Sequence, residues 1–120
     1  MKYLLLIYNN PATYEAMPEG ERNELFGEVE RIMDELRKSG EFVGGQGLAD
    51  PSQTKTVRVR DGVPAVTDGP YVEAKEQMGG YVIVDCDSTE RAVEIAATWP
   101  DTHYFAMEVR PIMHTAGADV

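Results

Sequence analysis

Two segments of this sequence, residues 2–8 and 79–85, are apolar at consecutive positions rather than at every second one. A strand over the first of them would carry apolar side chains on both faces: Tyr3, Leu5 and Ile7 on one, and Leu4, Leu6 and Tyr8 on the other. A strand of this kind has to be covered on both sides. These two segments therefore belong inside a sheet that has something packed on each face.

Two helices are predicted between the strands. The first spans residues 18–39 and ends at Gly40, which suits a left-handed cap, and its apolar stripe consists of Leu25, Phe26, Val29, Ile32, Met33 and Leu36. The second is expected to begin at Asp87 as the capping residue, with Glu90 three positions later, and to end before Pro100. Its buried face is expected to consist of Ala92, Val93, Ala96, Ala97 and Trp99.

Further strands are predicted at residues 41–49, 54–60, 63–67 and 103–112. Asp61-Gly62 is a hairpin turn signal between the second and third of these, and residues 9–17 are expected to form a loop. The order β-α-β-(β-hairpin)-β-α-β predicts an α+β fold, specifically a ferredoxin-like sandwich.

The two-faced strands also predict an assembly. Helices can cover only one face of a ferredoxin-like sheet, and the apolar second face needs another cover. The same face of a second copy is the simplest one. We therefore expect a homodimer whose two sheets pack face to face and approach a closed dimeric α/β-barrel.

Length and charge restrict the class of protein. With 120 residues and 42% apolar content, the chain is expected to form one domain over residues 1–113, followed by a loose tail over residues 114–120. There is no apolar stretch of about 18 residues, so no membrane span is expected. The net charge of −10 argues against direct contact with nucleic acid or anionic membranes.

The single cysteine, Cys86, excludes an internal disulfide and fits a cytoplasmic location, where a buried inert thiol is its expected state. The sequence has no metal-ligand spacing, phosphate loop or nucleophile elbow, so no metal or cofactor is expected.

Charged residues cluster after the turn Asp68-Gly69-Pro70. If the following segment is extended, Tyr71, Glu73 and Lys75 share one side of it. A lysine beside carboxylates can bind a polar ligand, or it can form ion pairs within the chain.

The last strand carries a second charged group. Its alternation places Glu108 and Arg110 on the face away from the helices, where they can pair with each other or with an acid of the 68–76 segment. Such a pair is either a structural bridge or the polar floor of a pocket. His103 lies near Asp101, which allows a general base oriented by a carboxylate or simply a surface histidine.

Three stretches resemble the DGPF branch of the YCII-related family: residues 68–76 (DGPYVEAKE), residues 79–81 (GGY) and residues 108–111 (EVRP). Tyr71 stands where that branch usually has phenylalanine. The resemblance implies a dimeric α/β-barrel of ferredoxin-like units, in agreement with the argument from the strands.

The resemblance also bears on function. Typical members pair a histidine near the start of the first helix with an aspartate after the second, but residues 18–23 contain no histidine, and Asp101 matches the aspartate only loosely. The family's His–Asp acid–base pair is therefore not carried over to this sequence. Some DGPF-type domains are linked with sigma-factor-like proteins, which suggests a role near transcription control.

The sequence thus predicts a small-molecule site, binding or weakly catalytic, at the 68–76 segment. Its expected acid–base residues are Asp68, Glu73 and Lys75, and its expected binding residues are Tyr71, Tyr81, Glu108 and Arg110. The alternative is a non-catalytic regulatory or interaction module, so whether the protein is an enzyme stays open.

Overall fold

The computed structural model describes residues 1–117. Six strands and four helices follow one another along these residues: β1 (Lys2–Asn9), α1 (Pro11–Glu15), α2 (Glu19–Ser39), β2 (Phe42–Gly47), β3 (Lys55–Arg60), β4 (Val63–Asp68), β5 (Gln77–Asp85), α3 (Thr89–Thr98), α4 (Asp101–Tyr104) and β6 (Ala106–Pro111). A short 3₁₀ turn, Pro51–Gln53, precedes β3. Residues 112–117 form no helix or strand, and the rest of the predicted tail lies outside the described residues.

The strands form two sheets. The main sheet has the order β2-β5-β1-β6, and every neighbouring pair in it is antiparallel. This is the ferredoxin-like order with the β3–β4 hairpin inserted between β2 and β5. The predicted α+β, ferredoxin-like arrangement is therefore confirmed, and the element order differs from the predicted one by the short helices α1 and α4.

Both long helices pack on one face of the main sheet. Their buried side chains, Ile32 and Leu36 of α2 and Ala92, Ile95 and Ala96 of α3, join Tyr3, Leu5, Val82 and Val84 of the central strands in one core. Trp99, Leu5 and Val84 are the largest side chains that are fully buried. Met107 and Val109 of β6 border this core, as the alternation of that strand predicts.

The loop expected at residues 9–17 contains a helix. Asn10 caps α1 by accepting a hydrogen bond from the Ala12 N–H at 3.1 Å, and Pro11 occupies the first turn, where its missing N–H costs nothing. Near the other end of the chain, residues 101–104 form α4 rather than the start of the last strand, and β6 begins at Ala106.

Details of the two predicted long helices also differ. Ser88, not Asp87, caps α3 and accepts a hydrogen bond from the Arg91 N–H. The helix therefore begins one residue later, and its buried face includes Ile95 while Val93 and Ala97 are exposed. Phe26 of α2, expected in the apolar stripe, is 57% exposed.

The sheet face opposite the helices has no cover within the described chain. We call it the second face; it carries Leu4, Leu6, Tyr8, Tyr81, Ile83, Glu108 and Arg110. The two leucines are only half-buried although they lie on a central strand. The second face is thus apolar at its centre, as the two-faced strands predict. Its leucines and Tyr8 are partly exposed, whereas Ile83 is only 9% exposed.

The hairpin β3–β4, residues 55–68, stands apart from the core, and we call it the arm. All of its strand residues except Thr56 are exposed. Asp61 and Gly62 form the predicted turn with positive φ values of 51° and 76°. Among residues 1–117, no helix is long and apolar enough to cross a membrane.

One ion pair ties α3 to the sheet edge. The Glu41 carboxylate, just before β2, accepts hydrogen bonds from Arg91 Nε at 2.9 Å and Arg91 Nη2 at 2.8 Å. Ser39 Oγ donates a third at 2.8 Å. The Glu41 side chain is only 16% exposed, so water screens the pair weakly on that side. The bonds from Arg91, and then the one from Ser39, lower the pKa of Glu41.

This ion pair predicts a pH-dependent contribution to stability. Because the pKa of Glu41 is lowered by folding, its contribution is complete above the unfolded-state pKa and disappears as the pH falls through the folded-state pKa. We expect Glu41→Gln to lower the free energy of unfolding by about 1 kcal/mol at pH 7 and by roughly nothing near pH 3. Urea denaturation of the wild type and the variant between pH 3 and pH 7 measures this difference in the free energy of unfolding. Glu94→Gln is the control, because Glu94 forms its ion pair with Arg91 from an exposed position. A difference that stays constant with pH would contradict the assignment.

Two neighbouring glycines of β2 allow a test of sheet packing. A Cβ atom on Gly45 would lie 2.8 Å from the carbonyl oxygen of Tyr81, whereas one on Gly44 would meet nothing within 4 Å. We expect Gly45→Ala to lower the free energy of unfolding by about 1–3 kcal/mol, because backbone atoms must shift. Gly44→Ala is the matched control and is expected to change it by less than about 1 kcal/mol. Equal effects in thermal and urea unfolding would rule out the close approach at Gly45.

Candidate functional site

A cleft of about 470 Å³ lies between α2 and the helix-covered face of the main sheet. Its helix wall is formed by the apolar residues Leu25, Phe26, Val29 and Met33, followed by Arg37. Ile7 and Val82 contribute to the floor, and Trp99 and Pro100 close one end. Pockets of this size, apolar with a few polar groups, are typical of small-molecule sites.

Glycines keep the cleft open. Gly45, Gly47, Gly79 and Gly80 border it where β2 and β5 meet, so no side chains fill the space below α2. Gly80 could not carry a side chain without a shift of the backbone, since its Cβ would lie 2.7 Å from the carbonyl oxygen of Gln46. Phe26, exposed on α2, borders the opening. The glycines of β2, which the sequence showed, thus leave the space that the cleft occupies.

The main polar feature of the cleft is a hydrogen bond between Tyr14 and Asp101. The Tyr14 hydroxyl donates to Asp101 Oδ2 at 2.5 Å, and both side chains are partly buried. Burial first, and then this hydrogen bond, raise the pKa of Tyr14 well above its usual value. The Tyr14 ring contacts Phe105 edge to face, with 5.7 Å between ring centres. The phenol therefore stays protonated and holds the carboxylate in one orientation.

Local structure brings these two residues together. Tyr14 lies on α1, whose start is fixed by Asn10 and Pro11. Asp101 is the first residue of α4, directly after Pro100 ends the α3 region. An acidic residue is favourable in the first turn of a helix, because it faces unpaired backbone N–H groups.

Asn9 supplies a further polar group to the cleft. Its side chain packs against Gly79, where an added Cβ would lie 2.6 Å from Asn9 Nδ2. Within residues 1–117 its amide makes no hydrogen bond, so its donors and acceptor remain available to a bound molecule. At the opposite end, Arg37 lies over the Phe42 ring at 4.9 Å and pairs with Asp34 at 2.6 Å.

The residues predicted at the 68–76 segment lie outside this cleft. Asp68 forms an ion pair with Lys55 at the root of the arm, and the Tyr71 ring, 70% exposed, stacks beneath the Arg58 guanidinium at 5.5 Å. Glu73 and Lys75 follow on an exposed loop and border a shallow depression of about 340 Å³ beside α1.

The remaining predicted residues lie on the second face. Leu6 pairs with Tyr81 on one side and with Glu108 on the other, so these side chains share a row. A hydrogen bond to Glu108, followed by partial burial, raises the pKa of Tyr8, and the charge of Arg110 opposes this shift. The predicted set therefore forms two groups, one at the root of the arm and one on the second face, and Tyr81 of the second group also borders the cleft. A site shared by both stays a prediction.

Two further side chains considered in the sequence, those of His103 and Cys86, do not belong to the cleft. His103 is exposed on α4, and the Asp101 carboxylate hydrogen-bonds Tyr14 instead of it. Cys86 is buried, its thiol lies 3.5 Å from the Ser88 carbonyl oxygen, and burial raises its pKa. No group of three or more His, Cys, Asp or Glu side chains within residues 1–117 could hold a metal ion.

Tyr14 is the residue that sequence reasoning missed. It lies 87 positions from Asp101, so no local motif joins the two. The available signal was Asn10-Pro11, which starts a helix and places the tyrosine one turn later.

The Tyr14–Asp101 hydrogen bond predicts energetic coupling between the two side chains. We expect Tyr14→Phe and Asp101→Asn each to lower the free energy of unfolding by about 1–2 kcal/mol. The double variant should lose about 1 kcal/mol less than the sum, because each single change already breaks the bond. Tyr104→Phe is the control, since Tyr104 lies exposed on the same short helix as Asp101. Additive losses in urea denaturation would show that the contact contributes nothing.

Comparisons with known proteins agree with this fold. The family model of the YCII-related domain matches residues 1–116. A relative, uncharacterized protein R00369 from Rhizobium meliloti (strain 1021), is 28% identical over 116 residues, which cover 93% of this chain and 92% of the relative. A similar solved structure is 5-chloro-2-hydroxyhydroquinone dehydrochlorinase (TftG) from Burkholderia phenoliruptrix AC1100 in complex with 2,5-dihydroxybenzoquinone, with a TM-score of 0.55, 14% identity and 96% of both chains covered. The chain belongs to the YCII-related family.

Proposed function

We propose that the protein binds a small, largely apolar molecule in the cleft below α2 and catalyses a proton transfer on it, with Asp101 as the acid–base group. The observation that carries this proposal is the Tyr14–Asp101 hydrogen bond at the end of a mostly apolar cleft. A carboxylate held in a fixed orientation beside an apolar pocket is a recurrent arrangement in general acid–base catalysis.

Each polar group has a separate role in this proposal. Asp101 Oδ2 accepts the hydrogen bond from Tyr14, and Oδ1 remains available to take a proton from a ligand. Tyr14 stays protonated because its pKa is raised, so it orients the carboxylate and does not compete for the proton. The Asn9 amide can donate a hydrogen bond to negative charge that develops on a ligand oxygen.

The lining of the cleft favours a neutral ligand with a planar apolar body. Apolar and aromatic side chains form most of the lining, and the carboxylate of Asp101 would repel an anion at that end. The similar solved structure holds 2,5-dihydroxybenzoquinone, which is a planar ring compound. At 14% identity that likeness concerns the fold, so the ligand of this protein is proposed from its own cleft.

The other predictions from the sequence stay proposals. A homodimer is supported by the uncovered apolar centre of the second face. The alternative of a non-catalytic interaction module, including a link to sigma-factor-type control, is supported by the exposed arm. The site at Asp68, Glu73 and Lys75 and a cytoplasmic location are likewise predictions.

Ligand-binding measurements distinguish a site in the cleft from a site at the 68–76 segment. A panel of quinones and hydroxylated aromatic compounds is titrated into the wild type and followed by NMR chemical shifts and thermal stability. We expect Asp101→Asn to weaken binding by about ten- to a hundredfold, because it removes a charged hydrogen-bond acceptor. Met33→Trp should abolish binding by filling the cleft, while Asp68→Ala and Lys75→Ala should leave it unchanged.

The opposite effects of these variants on binding would contradict the assignment of the site to the cleft. Loss of binding in Asp68→Ala and Lys75→Ala, with Asp101→Asn unaffected, would assign the ligand to the 68–76 segment. If no compound of the panel shifts any resonance of the wild type, the interaction-module alternative replaces the proposed function.

A further inference from the structure

We propose that the ligand of the cleft carries a polar side chain, and that Arg22 binds a neutral oxygen acceptor, such as an amide carbonyl, on that side chain. The inference rests on the proposed function, because it concerns the same ligand, and it adds the residue that selects the side chain. It starts from a second compartment beside the cleft, where α1, α2 and the loop after β2 meet.

The second compartment adjoins the cleft and has a volume of about 320 Å³. The two spaces share the residues that lie on their common boundary: Asn9, Tyr14, Phe26 and Gly79. The other lining residues belong to α1, to α2 and to the loop after β2: Pro11, Glu15, Arg22 and residues 48–51. A molecule whose ring lies in the cleft can therefore extend a substituent past the shared residues into the second compartment.

Hydrogen bonds of the backbone fix the loop that forms one wall of the second compartment. The Leu48 N–H donates to the Gly79 carbonyl oxygen at 2.9 Å, which holds the start of the loop against β5. The Asp50 carboxylate accepts a hydrogen bond from the Ser52 N–H at 3.0 Å, and this bond lowers the pKa of Asp50. Asp50 therefore stays ionised at neutral pH and stabilises its own turn.

Arg22 differs from the other two arginines of α2 in its contacts. Arg31 and Arg37 each form an ion pair with the acid three residues earlier on the helix. Arg22 has Glu19 at the same spacing but forms no ion pair with it. Its half-buried side chain lies against α1 instead, where Nη1 donates to the Tyr14 carbonyl oxygen at 3.4 Å. The helix contact that would neutralise Arg22 is therefore not made.

The Arg22 guanidinium keeps hydrogen-bond donors for a bound molecule. Within residues 1–117 it donates to the Tyr14 carbonyl, and no carboxylate lies within ion-pair distance of it. A guanidinium has more N–H groups than one acceptor can use. Hydrogen bonds from a charged donor are stronger than those between neutral groups. An oxygen acceptor in the second compartment therefore gains affinity from Arg22.

The charges around Arg22 favour a neutral acceptor over a carboxylate. Glu15 and Asp50 line the same compartment, and Asp101 borders the adjoining cleft beside Tyr14. These carboxylates, in a chain of net charge −10, repel a negatively charged side chain. An amide or ketone oxygen accepts a hydrogen bond from Arg22 without adding a charge. The preferred ligand is therefore a neutral ring compound with an acyl or amide side chain.

Three hydroquinones that differ only in one side chain test the role of Arg22. The side chains are acetamide, its apolar isostere isobutyl, and acetate, and the dissociation constants are measured by calorimetry. We expect the wild type to bind the acetamide compound about tenfold more tightly than the isobutyl compound, and Arg22→Met to remove this preference, because the charged hydrogen bond is lost. Arg31→Met is the matched control, since Arg31 is an exposed arginine of the same helix that borders neither space.

The isobutyl compound separates a binding role of Arg22 from a structural one. If Arg22 only holds α1 in place through Tyr14, Arg22→Met weakens all three compounds by the same factor, and that result overturns the inference. An unchanged preference for acetamide in Arg22→Met overturns it as well. Wild-type protein that binds acetate more tightly than acetamide would overturn the neutral acceptor.

Glu15→Gln tests the argument from charge. Glu15 is exposed on α1 and lines the second compartment. We expect this variant to bind the acetate compound about two- to threefold more tightly than the wild type does, because one repelling carboxylate is removed, and to bind the acetamide compound equally well. An unchanged affinity for acetate would contradict the part that neighbouring carboxylates play in the choice of ligand.

The same measurements distinguish this inference from the proposed function. If Asp101→Asn weakens binding and Arg22→Met leaves the preference for acetamide intact, the site in the cleft stands and only the role of Arg22 falls. If Arg22→Met removes the preference and Asp101→Asn has no effect, the second compartment stands and the role of Asp101 falls. If none of the three compounds binds to the wild type, both proposals fall.

Discussion

Packing of α2 and α3 on the same face of a four-stranded sheet is the constraint from which the other features of the structure follow. The central strands β1 and β5 contribute the buried residues Leu5 and Val84, and Trp99 closes the layer from the end of α3. Because both helices are used on this face, nothing in the described chain is left to cover the other one. The second face is therefore only partly covered in one copy, and the homodimer that would bury its apolar centre stays a proposal.

The same one-sided packing creates the cleft. A helix packs at a distance set by its own side chains, and α2 lies over a part of the sheet where β2 and β5 offer glycines. The missing side chains leave a volume that α2 alone does not fill. One end of this volume lies where α1 and α4 meet, and these short helices place Tyr14 and Asp101 against each other. The site is thus a consequence of glycine positions in the sheet and of two helix starts outside it.

The sequence predicts much of the fold because apolar periodicity and capping residues act locally. Continuous apolar runs located β1 and β5, and the stripe ending at Gly40 located α2. Errors arose where competing local signals were nearly equal, as between Asp87 and Ser88 for the start of α3. The Tyr14–Asp101 contact could not be predicted in this way, because it depends on how α1 and α4 pack across the end of the sheet.

The segment that is most distinctive in the sequence has a structural explanation at the root of the arm. Gly69 adopts a φ of 96°, which an L side chain would resist, and its backbone bonds join the two strands of the arm at Thr54 and Thr56. Asp68 neutralises Lys55 at the same place. These residues fix the direction in which the arm leaves the sheet. These contacts give Gly69 and Asp68 a structural role at the root of the arm. The acid–base site expected at Asp68, Glu73 and Lys75 stays a prediction beside the one proposed in the cleft, where a carboxylate lies beside apolar side chains.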